Sequence, residues 1–283
     1  NKDAFSGYHP IINFLYYALV LLLSMCLMHP VYLAISLTGA LAYDVYLKGK
    51  KAVRFAVMGL LPMAALAALV NPAFNHEGAT ILTYLPSGNP LTMESMFYGV
   101  AAAVMLASVV LWFSSYNEIM SSDKFVYLFG RMIPALSLVL SMALRFIPLF
   151  LSKWKEIRTA QKAMGYYSEK GIVSKIGSSL CVFSALVSWA LENSMDTGAS
   201  MRARGYGLPG RTHFSLFRFS REDGLLLCGA WGLVALTVFG SLGGLLSLSF
   251  YPRIEELPRS GSAFGFYILF GLFCFLPFLI WAD

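Results

Sequence analysis

The chain has 283 residues, of which 58% are hydrophobic and 13% are charged. Soluble globular domains carry about 25% charged residues, so this composition excludes an ordinary soluble fold and predicts an all-α protein that crosses a membrane several times. The formal net charge of +6 does not predict binding to nucleic acid, because the basic residues are distributed as membrane topology requires.

About six apolar segments have the length of a membrane-spanning helix, which takes about 20 residues. His29 and Pro30 separate the first two segments, and a proline at the first turn starts a new helix at low cost. The predicted spans are residues 11–28, 31–47, 55–70, 91–113, 225–248 and 264–281.

The lysines and arginines predict how these spans are oriented. The loop between the second and third spans reads KGKKAVR (48–54) and is expected in the cytoplasm, whereas the next loop, residues 71–90, contains neither residue type. Residues 114–221 are rich in both. We therefore expect residues 114–221 and both chain termini in the cytoplasm.

The spacing of the spans predicts three parts: residues 1–113 with four spans, residues 114–221 as a helical cytoplasmic region, and residues 222–283 with two spans. Segments 132–151 and 176–191 are also apolar enough to cross the membrane. If both crossed, the basic stretch 153–175 would lie outside the cell, against the positive-inside tendency. We therefore expect long helices at or below the cytoplasmic face.

Ionisable residues inside a span would mark a transport pathway. The predicted spans contain almost none. Asp44 and Glu94 lie near span ends, and the His76-Glu77 pair is better interpreted as part of a solvated loop than as a metal site. No G-x-x-x-x-G-K-[ST] loop is present. These patterns predict no catalytic residues, no bound metal and no cofactor, and they require another chain to supply any energy.

Two helical stretches of the cytoplasmic region end alike. SKWKEIRTAQKAMG (152–165) and CVFSALVSWALENSMDTGASMRARG (181–205) each end in a glycine suited to a helix C-cap. Residues 163–166 read AMGY and residues 203–206 read ARGY, so Met164 stands where Arg204 stands in the second stretch. Two matching helix ends in one region predict two equivalent docking sites.

Arg204 has two interpretations. A cation at a helix C-terminus is stabilised by about 0.3 to 1 kcal/mol, which is sufficient for this residue alone. However, Arg202 and Arg204 are flanked by Met201, Ala203 and Gly205, so the helix end is slim enough to enter a groove. Ser194 and Gly198 further predict close approach of another backbone to the same helix.

The motifs ALRFIPLF (143–150), EIRTAQKAMGY (156–166) and SMRARGYG (200–207), with the early YHPIINFLYY (8–17), together resemble the transmembrane T component of energy-coupling factor transporters. This family includes the cobalt-transport membrane subunit. The resemblance implies two long coupling helices whose Ala-Arg-Gly-like tips each dock on one of two ATP-binding cassette ATPase subunits. It also implies a small substrate-binding S component, uptake of a vitamin or metal ion, and the plasma membrane of a prokaryote.

Residue by residue, the resemblance carries ATPase docking onto two groups. Ala203, Arg204 and Gly205, with the neighbouring Arg202, match the motif completely. Ala163 and Gly165 match, but Met164 departs, so that Lys162 or Arg158 would supply the charge at the first tip. The departure suggests two unlike ATPase subunits. The alternatives are a self-contained permease or a membrane enzyme with a regulatory insertion, and a structural membrane protein without a transport role.

Overall fold

The computed structural model describes residues 4–75, 78–84, 90–130, 134–165, 171–206, 208, 217, 219–242 and 261–280. The chain divides into two compact units. The bundle unit comprises Asn1–Ser121 with Phe217–Asp283, and the arm unit comprises Ser122–Leu216. Within these described residues, five helices are long and apolar enough to cross a membrane, and two shorter helices are also apolar. The predicted class, an all-α polytopic membrane protein, is confirmed.

The bundle unit begins with a short 3-10 turn, Ala4–Gly7, and carries a two-stranded antiparallel sheet between its fourth and fifth helices. Its elements are α1 (Pro10–Cys26), α2 (Pro30–Lys48), α3 (Lys50–Phe55), a π-turn (Ala56–Leu60), α4 (Leu61–Phe74), β1 (Ile81–Tyr84), β2 (Pro90–Thr92), α5 (Met93–Ile119), α9 (Arg221–Leu242), α10 (Gly261–Cys274) and α11 (Leu276–Leu279). The arm unit contains α6 (Ser122–Gly130), α7 (Pro134–Ala163) and α8 (Ile172–Ala203).

The helices of the bundle unit coincide with the predicted spans, but several ends differ. The third span begins at Lys50 rather than at residue 55, because basic side chains at a membrane surface can extend a helix while their charges stay in water. The fourth begins at Met93, since residues 90–92 pair with β1 instead of joining the helix. The end predicted for the fifth span, residue 248, lies outside the described residues.

The same His-Pro pair starts both α1 and α2. His9 Nδ1 accepts a hydrogen bond from the backbone N–H of Ile11 at 3.3 Å, and His29 Nδ1 accepts one from Val31 at the same distance. The imidazoles therefore act as N-caps, satisfying donors that a helix start leaves unpaired. The predicted break at residues 29 and 30 is confirmed.

Contacts inside the bundle unit place several helix ends on one face. The backbone N–H of His9, before α1, donates to Asp223 of α9 at 3.2 Å. The ring of Phe5, in the turn before α1, lies 6.4 Å from that of Tyr17 in the middle of α1. The ring of Tyr17 in turn lies 5.5 Å from that of Tyr116 near the end of α5. We call this the junction face, because the chain leaves the bundle unit after α5 and re-enters it before α9 here.

A buried polar cluster joins α2 to α5 at the junction face. Asp44 is fully buried, and its Oδ1 lies 3.2 Å from Lys48 Nζ and accepts from Ser114 Oγ at 2.9 Å. Lys48 also donates to the Ser114 carbonyl at 2.8 Å. The ion pair needs such partners because a buried charge is costly when unpaired, so Asp44 has a structural role between helix ends.

Other contacts lie on the opposite face, which we call the hairpin face. The hydroxyl of Tyr267 on α10 lies 3.2 Å from His29 Nε2, between α1 and α2. Thr80, just before β1, hydrogen-bonds Glu94 at the start of α5. The spans therefore alternate in direction, with the sheet on the hairpin face and both connections to residues 122–216 on the junction face.

Candidate functional site

The two long helices of the arm unit contact each other through aromatic and basic side chains. The rings of Phe150 on α7 and Trp189 on α8 lie nearly perpendicular to each other at a centroid distance of 5.8 Å. Lys153 Nζ lies 5.8 Å from the centre of the Trp189 ring, within the range of a cation–π interaction. Lys153 also donates to Glu156 at 2.8 Å. This contact fixes α7 against α8 within the arm unit.

Beyond this contact each helix continues for a similar length. From Phe150 to Ala163, and from Trp189 to Ala203, each runs for about 20 Å at roughly 1.5 Å per residue. Each stretch leads from the contact to the C-terminal end of its helix. The arm unit therefore presents two helix ends at similar distances along their helices from one shared contact.

The end of α8, which we call the arginine tip, is closed by a Schellman motif. The backbone N–H of Tyr206 donates to the Met201 carbonyl at 3.0 Å, and that of Gly205 donates to Arg202 at 3.0 Å. Gly205 has φ of 82°, a conformation that residues with a Cβ rarely adopt. Gly205 is thus confirmed as the C-cap glycine, and Arg204 lies one residue beyond α8 rather than in its last turn.

The end of α7, which we call the methionine tip, has the same backbone form. Gly165 has φ of 85°, and its N–H donates to the Lys162 carbonyl at 3.1 Å. The N–H of Met164 donates to Ala160 at 3.1 Å. These bonds match those of Gly205 and Arg204 at the arginine tip, so the predicted cap at Gly165 is confirmed.

The predicted docking residues form two groups, one at each tip. Met164 is 67% exposed, and Arg204 is exposed as well. The remaining exposed members are Arg158, Lys162, Ala163 and Gly165 at the methionine tip and Arg202 and Ala203 at the arginine tip, while Gly205 is half-buried.

The helix segments that lead to the two tips differ in charge. The last part of α7 carries mostly cations, whereas the last part of α8 is balanced. Between residues 153 and 164 the charged residues are Lys153, Lys155, Glu156, Arg158 and Lys162, and between residues 189 and 204 they are Glu192, Asp196, Arg202 and Arg204. The two tips thus share a backbone and differ in electrostatics.

One face of α8 is apolar and exposed along most of the helix. Its members recur every three or four residues, the spacing of a single helical face, and each is at least 41% exposed. We call this face the α8 stripe, and it comprises Ile176, Leu180, Phe183, Val187, Leu191 and Met195.

The two helices differ in how their apolar and small residues pack. On α7, Trp154, Ile157 and Gln161 recur every three or four residues and are half-buried or buried, whereas Ala163 and Met164 are exposed. The close approach expected at Gly198 is absent from the described part of the chain, since a Cβ added there would meet no atom within 4 Å. The small residues near the end of α8 therefore leave its surface open.

The CbiQ family, described as cobalt transport protein, matches this chain over residues 10–214. Three relatives named energy-coupling factor transporter transmembrane protein EcfT are similar to it. The protein from Lactobacillus helveticus is 30% identical over 113 residues, 39% of this chain and 38% of that protein. The protein from Listeria innocua is 29% identical over 204 residues, covering 66% of this chain and 76% of the relative.

The third relative, from Lactococcus lactis subsp. cremoris, is 34% identical over 94 residues, 32% of this chain and 35% of the relative. The chain thus matches much less than two thirds of the length of the Lactobacillus and Lactococcus proteins, and more than two thirds of the length of the Listeria protein. The family match covers α1 to α8, including both tips. The chain therefore belongs to the CbiQ family and is a transmembrane component of the energy-coupling factor type.

Proposed function

We propose that this chain is the coupling subunit of an ATP-driven importer. Two cytoplasmic ATP-binding cassette ATPase subunits dock on the arginine tip and the methionine tip, and a small S component binds the substrate, a vitamin or a metal ion. The single observation that supports this most strongly is the pair of exposed tips with matching glycine caps on two helices in mutual contact. The chain itself is a scaffold, and its partners hydrolyse ATP.

The side of the membrane follows from the basic residues. Lys48 and the start of α3 lie on the junction face, together with the exit from α5 and the entry to α9. Because lysine and arginine are enriched in cytoplasmic loops, we assign the junction face to the cytoplasm. We therefore propose that residues 122–216 and both termini face the cytoplasm.

The arginine tip suits a groove with acidic groups. Arg204 and Arg202 are exposed beside alanine and glycine, so their guanidinium groups can enter a narrow groove and pair with carboxylates in bidentate geometry. Interface energy is often concentrated in one such desolvated arginine. Arg204 is the residue on which we expect docking at this tip to depend.

The methionine tip suits a groove of similar shape with an apolar lining. Met164 is flexible and fills irregular apolar spaces, and it occupies the position of Arg204 on the same backbone. Lys162 and Arg158 lie two and six residues before Met164 on α7 and can meet acidic groups at the rim. The two ATPase subunits are then unlike each other.

The α8 stripe supports a second contact within a membrane complex. An exposed apolar face of this length is unusual on a soluble surface and marks a protein or membrane contact. We assign the S component to this face, which belongs to the same helix as the arginine tip. Movement of an ATPase would reach the S component along α8, because a helix held by backbone hydrogen bonds transmits displacement with little bending.

Purification of the tagged full-length chain from native membranes tests the proposal. We expect two ATPase subunits and one or more small membrane proteins to co-purify, and uptake in reconstituted vesicles to require ATP. Recovery of the chain without any ATPase, or uptake that needs no ATP, would instead favour a self-contained permease.

A further inference from the structure

The hairpin face carries a small preformed structure that the coupling role does not use. Thr80 donates to the Glu94 carboxylate from both its hydroxyl, at 2.8 Å, and its backbone N–H, at 3.2 Å. Glu94 is 3% exposed. The backbone N–H of Met93 donates to the Thr80 carbonyl at 3.0 Å. These bonds tie the chain before β1 to the first turn of α5.

Gly78 fits tightly against this attachment. Its φ is 145°, and a Cβ there would come within 2.6 Å of the Glu94 carboxylate and 2.8 Å of the Thr92 Cβ. Any other residue would push the chain away from Glu94. The position of β1 is thus set by the buried Glu94 carboxylate and by Gly78, which leaves room for that carboxylate because it has no side chain.

The strand held in this way has no buried side. All four residues of β1 are exposed, although successive side chains of a strand point to opposite faces. Ile81, Leu82 and Tyr84 are each at least 50% exposed. The large apolar side chains therefore project from both faces of the strand, and no residue that the structure describes covers them.

The exposed strand continues an apolar surface of the flanking spans. At the end of α4, Phe74 is 82% exposed, and at the start of α5, Met93, Met96 and Phe97 are exposed as well. The whole sequence from residue 55 to residue 123 contains no lysine or arginine. In a polytopic membrane protein such outward apolar surface of a span faces lipid.

Helix length places the strand at the edge of the lipid layer. A helix covers about 30 Å, the thickness of the hydrocarbon core, in about 20 residues. Counted from the basic residues that end at Arg54, this length reaches Phe74, and counted from Ser114 on the junction face it reaches Met93. β1 begins at Ile81, seven residues beyond Phe74, and β2 ends at Thr92, directly before Met93. The hairpin therefore lies at the depth where tyrosine is enriched in membrane proteins.

We propose that β1, held in place by Glu94, inserts its apolar side chains into the membrane–water interface on the hairpin face. The occupant of this surface is lipid, at the boundary between headgroups and acyl chains. The inference rests on the shown membrane fold and not on the coupling function, so either can fail alone. The strand would fix the depth of α4 and α5 in the bilayer.

Spin-label accessibility in lipid vesicles tests the proposal on the full chain. The exposed cysteines Cys26, Cys181 and Cys228 are replaced by alanine, and a label is placed at Leu82→Cys. Leu69→Cys, on the outward side of α4, provides the lipid reference, and Lys51→Cys provides the aqueous reference. We expect oxygen to exceed a nickel chelate as collider at residue 82, as at residue 69.

Two results would overturn the lipid assignment: nickel-chelate access like that at residue 51, or protection from both colliders, which would mean that protein covers the strand.

The role of Glu94 is tested with Glu94→Ala in the Leu82→Cys background. We expect nickel-chelate access at residue 82 to rise at least threefold, while a Thr38→Ala control leaves it unchanged. Unaltered access in Glu94→Ala would refute the attachment.

Discussion

The methionine tip and the arginine tip have the same backbone and different chemistry. In both, a glycine with φ above 80° closes the helix through a hydrogen bond to the third residue before it. The residue before the glycine is Met164 in one tip and Arg204 in the other. The last part of α7 also carries an excess of positive charge that the last part of α8 lacks. The shape of each tip is therefore specified by glycine, and the chemistry of its partner by one neighbouring residue.

The largest expected effect comes from reversing the charge at the arginine tip. Arg204→Glu places a carboxylate opposite the acidic groups that we assign to the groove, and the loss of one central interface arginine typically costs about 2 kcal/mol or more, roughly 30-fold in Kd. Titration of purified ATPase subunits against the reconstituted chain measures this. The control is Lys175→Glu, which reverses a charge near the start of the same helix, far from its tip. Wild-type affinity in Arg204→Glu would contradict the docking role of this arginine.

Exchanging the two residues sharpens the comparison. Arg204→Met leaves acidic groups in the groove without a partner, so we expect about a tenfold loss of affinity. Met164→Arg is expected to change affinity less than threefold, because the aliphatic stem of arginine can replace methionine and a cation suits a helix C-terminus. The same titration measures both variants.

The opposite ranking in this exchange would contradict the assignment. If Met164→Arg prevents assembly while Arg204→Met is harmless, the first groove fits methionine too closely to accept an arginine stem, and Arg204 serves only to stabilise its helix end.

The shared backbone predicts an intermediate effect at both glycines. A Cβ in the left-handed conformation costs about 1 to 2 kcal/mol, and at Gly205 it would also lie 3.2 Å from Leu208. Gly205→Ala and Gly165→Ala should both loosen their tips, seen as faster amide hydrogen exchange in the last turn. Gly198→Ala is the control, since its Cβ meets open space and a helical glycine-to-alanine change stabilises by up to about 1 kcal/mol. Equal exchange in all three variants would show that the caps do not order the tips.

A small effect is expected from neutralising the cations in the last part of α7. Lys155→Gln combined with Lys162→Gln should weaken ATPase binding only about twofold to fourfold, because exposed ion pairs contribute about 0.2 to 1 kcal/mol each. The loss should shrink as salt is raised, since surface charges are screened. Binding titrations at two salt concentrations, with Lys175→Gln as the control, measure this. A loss that is independent of salt would mean that these lysines act by packing.

The sequence predicts the helices well because apolar runs, His-Pro pairs and glycines after helices act locally. The glycine caps at residues 165 and 205 follow from the residues around them. The pair of Asp44 and Lys48, four residues apart on α2, is also a spacing that the sequence contains, although the Ser114 partner on α5 is not.

Long-range contacts could not be predicted. Nothing in the local pattern selects Trp189 as the partner of Phe150, because many aromatic residues occur in the chain and the choice depends on how α7 and α8 pack. The short strand β1 was missed for a related reason. Four residues between turn-forming segments give too short a pattern, and the strand depends on the attachment of Thr80 to Glu94, which only the folded chain brings together.

The most direct test of the central claim is photo-crosslinking from both tips in native membranes. A photoreactive phenylalanine analogue is placed at Met164 in one variant and at Tyr206 in another, with the Leu82 position as a control on the hairpin face. We expect ATP-binding cassette ATPase adducts from both tips, with different subunits captured at each, and none from residue 82. Absence of ATPase adducts at both tips, in chains that reach the membrane at normal levels, would contradict the docking role of α7 and α8.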